Sequence, residues 1–195
     1  MNKQEIIRFF DERAAGWDAM LELAPEKIAQ IFDAAGVSEN DAVLDIACGT
    51  GVLFHFYLAR GVSRIDGVDI APEMVARCRE KYGNNSRIKV RCADAEEAAF
   101  DAVYDRCMVY NAFPHFCRPE VLLRNLYGAV KTGGTVTVAH DRGIRALDSH
   151  HAQEASAVSR GMMPPQTLEA LLSDCGFCMI TSHVTEEIYI VSATK

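Results

Sequence analysis

Toward the C-terminal end, two extended, Val/Ile-rich runs (177–184 and 188–194) are separated by only Thr185, Glu186 and Glu187. A parallel crossover needs a dozen residues or more, so these two runs can pair only as an antiparallel hairpin. Upstream the pattern is different. Short apolar segments at 42–47, 64–70, 87–93, 103–110 and 134–140 alternate with helical patterns. That alternation specifies parallel strands covered by helices on both faces. Together the two patterns predict an α/β fold: a doubly wound, mostly parallel seven-stranded sheet with a C-terminal antiparallel hairpin.

The helices are read from spacing. Val75, Cys78 and Tyr82 recur at helical intervals, as do Leu122, Leu126 and Ala129, and then Leu168, Leu171, Leu172 and Cys175. Pro72, Pro119 and Pro165 stand at or near helix starts, where a missing N–H costs nothing. Two further helices precede the first strand, one carrying Ile6, Phe10 and Ala14, the other Ile28, Ile31, Phe32 and Ala35. With 195 residues, no repeat and no long linker, a single domain over 1–195 is expected.

Composition narrows the partners. A net charge of −7 argues against affinity for nucleic-acid backbones. The densest basic stretch (Arg77, Arg79, Lys81, Arg87, Lys89, Arg91) reads as a solvated face. The apolar runs are too short to cross a bilayer, and the acid-bearing N-terminus is unlike a secretory signal, so a cytoplasmic location without membrane association is expected. Seven cysteines form no ligand ladder and read as reduced, mostly buried thiols. Cys175 and Cys178 follow a helix rather than opening one, unlike a redox pair.

Chemistry enters where the first strand runs through Val43-Leu44-Asp45-Ile46-Ala47-Cys48-Gly49-Thr50-Gly51 into a helix. Glycines allow a sharp turn and close approach of backbone to ligand, and a helix N-terminus presents unpaired N–H groups. Asp45 beside such a turn suits a ligand bearing an ammonium group. The dinucleotide fingerprint fails in both frames, because Val52 or Phe54 takes the place of its final glycine. Asp69, ending the second strand, is placed to accept from two ribose hydroxyls, and Asp94, past the third strand, to meet an adenine amino group.

These segments together resemble the class I S-adenosylmethionine-dependent methyltransferases. VLDIACGTG is similar to their first motif, GVDIAPEM to the acidic loop after strand two, and CADAEE to the adenine-side loop. VKTGGTVTV (130–138) resembles their entry into strand five, and MPPQTLEALLSDCGF (163–177) their late helix. The closing hairpin also suits this variant of the doubly wound fold better than the nicotinamide-binding one. Ala47 stands where many members have glycine. The resemblance implies S-adenosyl-L-methionine as cofactor, with Asp45 and Gly49 at its methionine part, Asp69 at the ribose and Asp94 at the adenine. Ala47, Cys48, Gly51, Ile70, Ala95 and Asn111 complete the expected set. FFDERAAGWDAM (9–20) resembles the lid helix of small-molecule members, which makes 1–36 a helical lid and Trp17 the aromatic residue that closes over the cofactor.

The substrate is expected beyond the carboxyl ends of the strands. Strand four leads into Asn111-Ala112-Phe113-Pro114-His115-Phe116, which lacks the Pro-Pro pair of enzymes that methylate base amines. After strand five, residues 140–163 form a long substrate-side connection. His115, His140, His150 and His151 fall on these segments, and His140 or His115 is the expected base or substrate orienter. His140, His150, His151 and Asp141 have the chemistry of metal ligands, but adjacent histidines diverge in direction, so no metal is expected. The reading is methyl transfer to an O, N, S or C atom of a small molecule. The alternative is a protein that binds the cofactor or its demethylated product without transfer, as a sensor or inactive partner.

Overall fold

The computed structural model describes residues 1–145 and 157–195. Its strands are β1 (Ala42–Ile46), β2 (Arg64–Asp69), β3 (Ile88–Cys92), β4 (Tyr104–Tyr110), β5 (Val130–His140), β6 (Cys178–Val184) and β7 (Tyr189–Thr194). The helices are α1 (Lys3–Asp11), α2 (Trp17–Met20), α3 (Pro25–Ala35), α4 (Phe54–Ala59), α5 (Pro72–Tyr82), α6 (Pro119–Ala129) and α7 (Pro165–Asp174).

All seven strands join one sheet in the order β3-β2-β1-β4-β5-β7-β6. Pairing is parallel from β3 through β5 and antiparallel on both sides of β7. The doubly wound sheet with its closing hairpin is therefore as expected. The direction of winding reverses between β1 and β4, and such a switch point opens a crevice at the carboxyl ends of those two strands.

Strand parity assigns the two faces. Leu44 and Ile46 of β1 pack with Leu122 and Leu126 of α6 and with Leu168 and Leu172 of α7. Val43 points the other way, into Ile28, Ile31 and Phe32 of α3 and Phe54 and Tyr57 of α4. Each side chain buried in this way contributes about 1.5–3 kcal/mol, so the apolar strand cores hold both layers. Pro25, Pro72, Pro119 and Pro165 each open their helix.

Two expectations are adjusted. β5 begins at Val130 rather than 134, because Val130 already pairs with Tyr104 across an irregularity in the β4 register. α1 stops at Asp11, and Ala14 lies in a separate 3-10 turn (Ala14–Gly16), still buried against Met74. The basic residues between 77 and 91 are all exposed, as a solvated face requires. All seven cysteines are free thiols. Among the described residues, no helix is long and apolar enough to cross a membrane.

Candidate active site

A cavity of about 360 Å³ lies at the carboxyl ends of β1, β2 and β4, within the usual size range of small-molecule sites. Its floor is main chain. Past Ile46, Ala47 and Gly49 both take a φ of +54°, and the Cys48 N–H returns to the Val68 carbonyl at 3.1 Å. A left-handed alanine costs roughly 1–2 kcal/mol, so the surrounding bonds must impose this turn. Asp69 does so. One carboxylate oxygen accepts the Gly49 N–H at 2.8 Å and the other accepts the Ala71 N–H at 2.8 Å. Burial pushes the Asp69 carboxyl up to about 6, and the bonds from Ala71 and Gly49 pull against that rise.

Of the residues expected at the cofactor, Ala47, Cys48, Gly49, Asp69, Ile70, Asp94, Ala95, Asn111 and Trp17 line this cavity. Asp45 and Gly51 do not. Asp45 shares the parity of Val43, which turns it under the sheet toward α4, where it is 2% exposed. Its carboxyl is raised well above the ordinary range by burial and then by Asp69. Gly51 serves packing: at φ +79°, a Cβ there would stand 2.8 Å from Cys78 Sγ and 3.0 Å from the Phe54 ring.

The N-terminal segment forms the roof, tied down at three places. Lys3 pairs with Asp94, with Glu96 at 2.9 Å and with Glu97 at 3.2 Å. Asp11 accepts the Glu73 N–H at 2.9 Å, at the start of α5. Asp18 accepts from the Thr50 hydroxyl in the glycine turn and from Lys81 at 2.6 Å. Trp17 thereby comes to the turn, its Nε1 3.9 Å from where a Gly49 Cβ would be. Phe10 sits edge-on to both Trp17 (5.6 Å) and His115 (5.1 Å). Asp94, expected at the adenine, also receives the Glu96 N–H at 2.9 Å, so both its oxygens are engaged.

The opposite end is polar. The Asp141 carboxylate accepts from the Tyr110 hydroxyl at 2.9 Å and from Asn111 Nδ2 at 3.1 Å. Burial raises the Tyr110 phenol, and Asp141 raises it further, so it stays protonated and donates. Asn111, at φ +51°, returns its side-chain oxygen to the Asp141 N–H at 3.2 Å. His115 Nδ1 lies 2.7 Å from the Val158 carbonyl, an acceptor only, so Nδ1 carries a hydrogen and donates it. His140 also lines the cavity but is 1% exposed, its ring edge-on to Tyr189 at 6.1 Å. His150 and His151 lie outside the described residues, and among the described residues no cluster of three metal-ligating side chains occurs.

Sequence reasoning missed Lys3, Glu96 and Tyr110 as members of this site. An isolated lysine 91 positions from its carboxylate has no local signature. Tyr110, by contrast, was findable as the last residue of a strand entering the crevice. The residues present suit an adenosine-bearing amino-acid cofactor: a bent main-chain floor, a buried carboxylate at the end of β2, and aromatic rings above.

Residues 43–134 match the family described as a methyltransferase domain. Over 139 residues the chain is 27% identical to malonyl-acyl-carrier-protein O-methyltransferase of Acetivibrio thermocellus, covering 70% of this chain and 49% of that protein. Over 126 residues it is 30% identical to erythromycin 3''-O-methyltransferase of Saccharopolyspora erythraea, covering 62% of this chain and 41% of that protein. The chain thus spans about half the length of the curated relatives it matches. Among solved structures, a chain of a methyltransferase-activator complex from Haloferax volcanii superposes with a TM-score of 0.82 at 19% identity, over 95% of this chain and 96% of that one. At that identity the likeness shows the fold.

Proposed function

Because residues 43–134 match the methyltransferase-domain family, we propose that this chain is a class I S-adenosylmethionine-dependent methyltransferase that transfers the methyl group of S-adenosylmethionine to a small-molecule acceptor. The observation that carries the reading is the roofed cavity at the switch point, with its glycine turn held from below by Asp69. The cofactor supplies an electrophilic methyl on a sulfonium. The chain's own task is to hold the acceptor in line with that methyl, exclude water, and take a proton where the acceptor arrives protonated.

His115 is the residue we assign to the proton. Its Nδ1–H is fixed on a carbonyl, as an orienting group fixes a general base, and the ring stands between the cavity and the roof helix at Phe10. His140 is read as cavity wall, because it is enclosed at the sheet end. Asp69 is read as the ribose acceptor as well as the clamp of the turn, since each carboxylate oxygen has a lone pair beyond the one its N–H bond takes.

The test begins with binding. Adenosylhomocysteine at a hundred times its dissociation constant should stabilise the fold by about 2.7 kcal/mol, and NAD should not. Transfer of labelled methyl to small-molecule acceptors then separates an enzyme from a protein that only binds. A shift with NAD and none with adenosylhomocysteine overturns the assignment. Binding without transfer to any acceptor class favours the sensor or inactive-partner reading.

A further inference from the structure

We infer that Arg13 is a cofactor-binding residue, its guanidinium receiving the carboxylate at the methionine end of the cofactor. The inference rests on the cofactor assignment above and adds a residue that no motif marks.

The argument starts from how the roof lies along the cavity. Lys3 pairs with Asp94 beyond β3, at the adenine end. Trp17, fourteen residues on, meets Gly49 in the turn after β1. α1 and the 3-10 turn therefore run from the adenine side toward the methionine side, and Arg13 falls near the second end. It lines the cavity and is half-buried.

A ligand with an amino-acid tail brings one ammonium and one carboxylate to that end. The floor there suits the ammonium and repels the carboxylate, because the Asp69 carboxylate lies beside the turn. The Gly49 N–H is already given to Asp69. The carboxylate must find a cation elsewhere. Among the described residues, three lysine or arginine side chains line the cavity: Lys3, Arg13 and Arg142. Lys3 is committed to three acids at the far end. Arg142 is exposed on the segment after β5.

Arg13 is different in kind. Its guanidinium carbon lies 3.6 Å from the centroid of the Phe9 ring, and Nη1 donates to the Phe9 carbonyl at 2.9 Å. Both contacts fix the planar group, and only one of its five N–H donors is used in them. Among the described residues, no carboxylate forms an ion pair with it. A half-buried, oriented cation with no ion-paired carboxylate among the described residues is built to take one by two parallel hydrogen bonds.

The experiment removes the carboxylate from the ligand and the guanidinium from the protein, separately and together. The probes are adenosylhomocysteine and S-adenosyl-3-thiopropylamine, which keeps the ammonium and lacks only the carboxylate. Dissociation constants are measured calorimetrically for the wild type, Arg13→Met and Arg142→Met, with melting temperatures as the fold control. The wild type should prefer adenosylhomocysteine by about 10–100-fold, the scale of charge-assisted hydrogen bonds. Arg13→Met should bring that ratio near one while leaving the amine's affinity unchanged, and Arg142→Met should keep the wild-type ratio. A ratio preserved in Arg13→Met, or lost in Arg142→Met instead, overturns the inference, as does equal weakening of both ligands by Arg13→Met. If the wild type binds neither ligand, the cofactor assignment itself falls, and that result is read before any variant is compared.

Discussion

The floor and the roof of the cavity are held by different physics. The floor is main chain bent into left-handed turns at Ala47, Gly49 and Asn111, fastened by N–H bonds to a buried carboxylate. The roof is a helical segment fastened mostly by charged side chains, Lys3 and Asp18 among them. The acids reflect this. Burial drives the floor's Asp69 and Asp45 upward. In the roof, burial also pushes Asp18 up, but Lys81 and Thr50 outweigh it and hold it below its usual value. A floor of this kind is built before ligand arrives and answers to pH. A roof of this kind sits in reach of solvent and answers to salt.

The strongest way to sharpen the contrast is to ask which half carries the base. His115→Ala should lower turnover by about 10²–10⁴-fold with cofactor affinity nearly constant, and the loss should shrink at higher pH as the acceptor ionises. His140→Ala should cost far less. The reverse pattern in steady-state rates returns the base to the end of β5.

Next in size is Gly51→Ala, which strikes the floor from behind. Strain at φ +79° adds to a Cβ 2.8 Å from Cys78 Sγ, and together they should cost roughly 2–5 kcal/mol. The melting temperature and cofactor affinity should fall together. A variant that keeps both would show that the turn tolerates a side chain, and that the floor is softer than its bonds suggest.

The pH response follows in magnitude. Asp69 has an ordinary value of 3.8 and a folded value of about 6, so the native state holds its proton more tightly than the unfolded chain. Stability is therefore unpenalised below about pH 4, falls as pH climbs to about 6, and stays lower above that. The loss amounts to at most about 3 kcal/mol. Asp69→Asn should flatten that slope in melting curves taken from pH 4 to 7. An unchanged slope would assign the effect to other acids, Asp45 first.

How much of this was legible in advance differs between the halves as well. The floor was written locally: VLDIACGTG lies within one strand and one turn, and its glycines require the backbone they adopt. The burial of Asp45 was legible as well, since period-two parity couples it to Val43. The roof was not legible, because its fastenings join residues 63 and 91 positions apart, and no short pattern encodes such a pair. The histidines fall between these cases. Sequence brought His115 and His140 to one cavity, but enclosure and the bond to Val158 separate them.

The smallest effect belongs to the roof. Lys3→Met should cost less than about 1 kcal/mol in stability, yet speed adenosylhomocysteine release several-fold in stopped-flow traces. The wild type should approach the variant's release rate as salt rises from about 0.05 to 0.5 M, which shortens the screening length from over 10 Å to a few. A release rate indifferent to both changes would mean that the roof is held by its aromatic contacts instead.

The strand order β5-β7-β6 has a consequence for how the chain reaches its native state. A ribosome delivers β6 before β7, yet β6 has no neighbour except β7, and β7 must slip between it and β5. Until residues 189–194 emerge, the β5 edge, with Val136 and Val138, presents unpaired N–H and C=O groups to any passing strand. Completion of the sheet waits for residues 189–194, and pairing over so long a separation is slow. The interval just before β7 docks is when the nascent chain is most exposed to misassembly and most dependent on chaperones.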